Sequence, residues 1–99
     1  MSQEITVPVS LLRATAQSLL DHLEEVQGDT VSLTHDFFWA IPQEQLYDPY
    51  VSPSDLTLGQ LTESIANLQR IADDTDLEVS YALVWLADVL RAVGQSVVR

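Results

Sequence analysis

The last twenty residues of the chain carry apolar side chains at helical spacing on two adjacent stripes. One stripe consists of Leu83, Leu86, Leu90, Val93 and Val97, and the other of Ala82, Trp85, Val89 and Ala92. A surface helix of a small bundle needs an apolar arc of only about 100°, whereas these stripes together cover more than half of the circumference. We therefore expect a helix that is central to a bundle or that also packs against a second chain.

The same segment, residues 79–98, is about as long as a membrane span. Asp88 and Arg91 lie near its middle, where charges are costly in hydrocarbon. A protein-covered helix is the better interpretation, so we expect no membrane association. The first residues of the chain show neither a basic nor a long apolar stretch, so we expect no secretion signal there.

Two further helices are expected upstream. The first begins near Pro8, because proline suits a first helical turn, and ends at Gly28, a natural C-terminal stop. Its apolar stripe is Leu12, Ala16, Leu19, Leu23 and Val26. The second is expected to start at Thr57, where Thr57 and Gln60 have the spacing of a capping box, and to end near Asp73. A second such pair, Thr75 and Glu78, would open the C-terminal helix.

The region between the first two helices is irregular. Alternation over residues 31–34 indicates a short extended piece, and Pro42, Pro49 and Pro53 interrupt the remainder of the region. One helical turn is expected after Pro42. We therefore expect an all-α fold, a single domain over residues 1–99 consisting of a small three-helix bundle with an aromatic-rich irregular segment between helices 1 and 2. A minor extended pair near residues 30–40 is an open alternative.

The charge balance limits the choice of partners. The chain has 15 acidic residues, four arginines and no lysine, for a net charge of −11. Because a nucleic-acid backbone and an anionic membrane carry the same sign of charge, both are expected to be repelled. Basic protein surfaces remain open as partners.

No pattern in the chain points to catalysis. Cysteine is absent, which removes thiolate nucleophiles and thiolate metal ligands. Asp74, Asp76 and Glu78 alternate as in the first half of a calcium loop, but the glycine and the final acid of that loop are missing. His22 and His35 are expected to be surface histidines. We therefore expect no catalytic, cofactor or metal site.

The candidate interaction surface is an aromatic segment together with part of the C-terminal helix. Five of the seven aromatic residues fall within positions 37–50. The residues of this candidate surface are Phe37, Phe38, Trp39, Tyr47, Tyr50, Trp85, Leu86 and Val89. The aromatic segment is interpreted in two ways: as a lid that closes the open side of a helix bundle, or as a binding surface, since Trp and Tyr are enriched at interface hot spots.

Part of the chain resembles a group of small bacterial proteins that has no established activity. The resemblance lies in Asp36-Phe-Phe-Trp-Ala-Ile-Pro42, in Leu46-Tyr47-Asp48-x-Tyr50, in Pro53 and in Leu56-Thr-Leu-Gly-Gln-Leu61. It covers about a quarter of the chain. It implies a bacterial, cytoplasmic protein and assigns no catalytic residue.

The sequence supports three functional hypotheses. The first is a protein-interaction or accessory module without catalytic activity, forming a homodimer through the C-terminal helix. The second is an acidic inhibitor or immunity-type protein that masks a basic target. The third, the least favoured, is a metal-dependent enzyme that uses His22, His35 and nearby carboxylates.

Overall fold

The computed structural model describes residues 4–73 and 79–97. The chain divides into two compact units, Met1–Ser32 and Leu33–Arg99. In the described ranges, no helix has the combination of length and apolarity that a membrane crossing requires. The expectation of one helical domain over residues 1–99 stays a prediction.

The first unit contains helix α1, Val9–Gln27. Pro8 precedes it with φ −65° and ψ 132°, an extended conformation that suits the residue before a first turn. Gly28 ends it with φ 86°, and the Gly28 N–H donates to the Glu24 carbonyl at 2.8 Å. A positive φ favours glycine, because a Cβ is strained there. The predicted start and stop of this helix are confirmed.

The second unit contains a two-stranded sheet, so the all-α three-helix bundle is wrong. Strand β1, Phe37–Ala40, pairs antiparallel with β2, Thr57–Gln60. The described residues form helices together with this antiparallel ribbon, a mixed α/β fold. The aromatic run has the β-propensity of a strand, and its partner residues lie 17 to 23 positions away, outside any local pattern. We call β1 and β2 together the ribbon.

The capping box expected at Thr57 and Gln60 does not form. The Thr57 hydroxyl donates to the Ala40 carbonyl at 3.3 Å, and the Gln60 amide donates to Asp36 Oδ2 at 2.9 Å. These four residues pair with β1 instead of starting a helix, and helix α3 begins directly after them. Tertiary pairing has overridden a local helix signal.

The extended piece predicted at residues 31–34 is also not a strand. Its alternation has no partner strand there, and a strand without a partner leaves its backbone groups unpaired. The extended pair left open for residues 30–40 forms only in part: residues 37–40 are a strand, and their partner lies outside that range.

The connection between β1 and β2 contains the helical turn expected after Pro42, which is α2, Gln43–Leu46. Gln45 holds the connection together. Its Oε1 accepts from the Ser54 and Asp55 amides at 2.9 and 3.3 Å, and its Nε2 donates to Asp55 Oδ2 at 3.0 Å. Tyr47 and Tyr50 do not contribute to this, because they are 81% and 94% exposed.

Two helices of the second unit pack against each other. Helix α3, Leu61–Asp73, ends where the sequence predicts, and α4 comprises Val79–Ser96. The second capping box, Thr75 and Glu78, lies outside the described residues. On α3 the buried positions Leu61, Ser64 and Asn67 recur every three residues, and Leu61 is the single buried apolar side chain of the described chain, at 5% exposure. The interior is therefore thin for a domain of this length.

Candidate interaction surface

The ribbon has two chemically different faces. In an antiparallel pair, residues directly opposite each other point to the same side, so Trp39 and Leu58 share a side, as do Phe38 and Gly59. Phe38 is half-buried and lines cavities together with Leu61. We call the side of Phe38 the inner face and the side of Trp39 the outer face.

Three apolar side chains on the outer face are open to solvent, whereas Gln60, which lies opposite Phe37, is half-buried. Phe37 is 59% exposed, Trp39 69% and Leu58 62%. Scattered exposed apolar residues are ordinary on protein surfaces, but contiguous ones mark interaction sites. Phe37 and Trp39 alternate on one strand, and Leu58 is paired with Trp39, so these three side chains form one patch.

Asp36 ties the start of the ribbon to the start of α3. Its Oδ1 accepts from the Thr62 amide and the Thr62 hydroxyl, both at 2.7 Å, and its carbonyl accepts from the Leu61 amide at 2.7 Å. The first amides of a helix have no partner inside that helix, so Asp36 caps α3 across a sequence separation of 26 residues. The Gln60 side-chain amide donates to the other oxygen of the same carboxylate.

These hydrogen bonds make the contribution of Asp36 to the stability of the fold depend on pH. The Gln60 side chain first, and then the Thr62 amide and hydroxyl, lower the pKa of Asp36 below its ordinary value of 3.8. A carboxyl whose folded pKa is lowered stabilises the fold above its unfolded pKa, and this contribution is lost as pH falls through the folded value. The carboxylate therefore holds the ribbon on α3 at neutral pH.

We expect Asp36→Asn to be less stable than the wild type at pH 7, with a difference that shrinks on acidification below about pH 5. Urea unfolding across a pH series measures this difference. Thr62→Val, which removes one of the donors and keeps the backbone amide, should give a smaller loss in the same pH window. Parallel stability curves for wild type and Asp36→Asn would contradict the role of the carboxylate.

Open cavities surround Phe38 next to the two helices, and the edge of the outer face also reaches them: Phe37 lines the first, Trp39 the second and Leu58 the third. Their volumes are about 390, 230 and 250 Å³. Leu61 and Ala92 line the first two, and Trp85 and Asn67 line the third. The ribbon therefore lies on the helices without filling the space beneath it.

Helix α4 is not the buried centre of a bundle, which corrects that interpretation of its apolar arc. Trp85 and Val89 are half-buried, whereas Leu83, Leu86 and Leu90 are 59%, 40% and 42% exposed. The Tyr81 and Trp85 rings stack with centroids 6.1 Å apart. One stripe thus packs within the unit, and the leucine stripe stays open.

The candidate residues are therefore distributed over several places. Phe37 and Trp39 lie on the outer face, Phe38 lies on the inner face, and Tyr47 and Tyr50 lie in the exposed connection. Both interpretations of this segment, a lid and a binding surface, stay predictions. Sequence reasoning missed Asp36 and Leu58, because their partners are distant and no local pattern marks them.

Among the residues that the structure describes, no group of three metal-ligating side chains is placed to hold an ion. His22 Nδ1 lies 3.7 Å from Glu25 Oε2, and both side chains are exposed. The alternating acids at positions 74, 76 and 78 lie outside the described residues.

No protein-family model, no curated protein and no solved structure matches this chain. The resemblance to small bacterial proteins therefore stays a prediction.

Proposed function

We propose that this protein is a small acidic interaction module without catalytic activity, and that two copies associate through α4. The observation that carries this proposal is the exposed stripe of Val79, Leu83, Leu86 and Leu90. These positions step by four, three and four residues, which is the a/d spacing of helices that pack side by side. A second α4 presents the matching stripe.

The surroundings of this stripe favour a second copy. Ser80, Ala87 and Gly94 follow one of its borders at intervals of seven residues, and such small side chains let two helices approach closely. The charged pair of α4, Asp88 and Arg91, lies off the stripe with Oδ1 and Nη1 3.7 Å apart. Two chains that each carry a charge of −11 therefore meet here without facing like charges directly at the contact.

The thin interior favours the same association. A chain of this length normally has a core of several buried apolar side chains. Within the described ranges, Leu61 is the only apolar side chain that is buried. Covering the leucine stripe would bring apolar area out of water, which stabilises the assembly by about 25 cal/mol per Å².

Light scattering coupled to gel filtration tests this association. The wild type is expected to have twice the mass of one chain at high micromolar concentration, and Leu86→Glu is expected to be a monomer, because a carboxylate in an apolar contact is costly. Gln95→Glu is the matched control: it adds the same charge on the opposite side of α4 and should stay dimeric. A wild type that is strictly monomeric would contradict the proposed self-association.

A second candidate, an inhibitor or immunity-type protein that masks a basic target, is favoured by a different observation. Residues 36–60, which contain the whole ribbon and its connection, carry four acids and neither lysine nor arginine. The exposed aromatic side chains of the chain are concentrated in this same segment.

A further inference from the structure

On the outer face of the ribbon, Phe37 and Trp39 remain 59% and 69% exposed, although each also lines an open cavity together with Ala92 and Gln95 of α4. Phe37 and Trp39 stand two positions apart on one strand, and alternate residues of a strand are about 7 Å apart. An extended ligand has the same repeat between side chains on one of its faces. The two rings therefore match alternate side chains of a segment lying along β1.

The charges around this face indicate the sign of charge that a ligand should carry. Glu44, Asp48 and Asp55 are exposed in the β1–β2 connection, and Asp36 directly precedes β1. No lysine or arginine lies within residues 36–60. Arg91 of α4 lines a cavity together with Trp39, but its Nη1 lies 3.7 Å from Asp88 Oδ1, so this positive charge is already paired. Aromatic faces attract guanidinium and ammonium groups, and nearby carboxylates add an attraction of the same sign.

The same charges disfavour other occupants. A second copy would bring an identical set of acids to this face, in contrast to the leucine stripe of α4, which has no charge on it. Single-stranded nucleic acid also stacks on aromatics, but it needs a basic groove. A cationic polypeptide is the ligand that satisfies both the rings and the carboxylates.

We propose that the outer face of the ribbon, centred on Phe37 and Trp39, binds an extended arginine- or lysine-rich segment of another protein. This inference rests on the proposed role as an interaction module, and it is independent of the association of two copies. Leu86→Glu, which should separate the copies, is expected to keep this binding.

The probe is a labelled peptide of about ten residues that alternates arginine and glycine, followed by fluorescence anisotropy at roughly 50 mM salt. We expect saturable binding at one peptide per chain and none of the corresponding glutamate–glycine peptide. The double change Phe37→Ala, Trp39→Ala should weaken binding at least about tenfold. Tyr81→Ala, which removes an exposed aromatic of α4, should change it by less than about twofold.

Charge variants separate a specific site from the general attraction of an acidic protein. Glu44→Gln, Asp48→Asn removes two charges beside the ribbon, and Glu24→Gln, Glu25→Gln removes two charges from α1. Only the first pair should weaken binding by more than about threefold, since exposed charges act strongly only over about a Debye length and Glu44 and Asp48 lie in the connection of the ribbon itself.

Three results would overturn the proposal. These are no binding of the arginine peptide by the wild type, equal weakening by the two charge pairs, and unchanged affinity after loss of both ribbon aromatics. Each of them leaves the mass of the assembly unaffected, so failure at the ribbon is distinguishable from failure of the α4 contact. Circular dichroism of each variant confirms that the compared proteins are folded.

Discussion

Leu61→Ala should lower the free energy of unfolding by about 2–3 kcal/mol. Leu61 is the one buried apolar side chain among the described residues of the second unit, and its amide also donates to the Asp36 carbonyl at the start of α3. Truncation to alanine removes buried methyl groups and leaves a void. The cost falls at the lower end of the usual range, because cavities already adjoin Leu61 and fewer contacts are lost.

Leu58→Ala is the matched control for this prediction. It makes the same chemical change three residues earlier, on a side chain that is mostly exposed, and should cost less than about 1 kcal/mol. Urea unfolding followed by circular dichroism measures both variants. Equal losses would show that Leu61 does not hold the ribbon and the helices together.

Gly59→Ala should be destabilising by about 1–2 kcal/mol. Gly59 lies opposite Phe38 in the ribbon, and the Phe38 ring covers it so closely that an added Cβ would overlap the ring carbons. The ring would have to swing away from the helices, because it is the movable part of this contact. The smaller freedom of alanine in the unfolded chain offsets part of this cost.

Gly94→Ala provides a control of opposite sign. An added Cβ meets nothing within 4 Å at Gly94 in a single chain, so in the Leu86→Glu background, where the copies are separate, alanine within α4 should stabilise the helix by about 0.5–1 kcal/mol. A double-mutant cycle isolates the overlap: in a Phe38→Ala background, Gly59→Ala should lose most of its cost. A cost at Gly59 that is independent of the Phe38 ring would contradict this account.

Sequence patterns predicted the helical segments whose start and stop signals lie within or next to the segment itself. The stripe from Leu12 to Val26, with Pro8 before it and Gly28 after it, specifies α1 through nearest-neighbour chemistry alone. The turn after Pro42 and the end of α3 near Asp73 were predicted for the same reason. Each depends on backbone preferences and on contacts within four residues.

The ribbon could not be derived in this way. Thr57 and Gln60 have the spacing of a capping box, and nothing in their neighbourhood indicates that β1 competes for them. Strand pairing joins Phe37 to Gln60 across 23 positions, so a local helix signal was outweighed by distant hydrogen bonds. For the same reason the candidate surface was predicted as a set of aromatics, without their division between two faces.

The sequence alone is enough to predict three features: strong acidity, a concentration of aromatics within residues 37–50, and a C-terminal helix whose apolar side chains cover more than half of its circumference. Which of these side chains face solvent depends on how the elements pack in the folded chain. Periodicity describes a side chain's direction relative to its own helix or strand, whereas exposure depends on what packs against that element. This is why Trp85 is half-buried in the second unit, whereas Leu86, its neighbour in sequence, is exposed on α4.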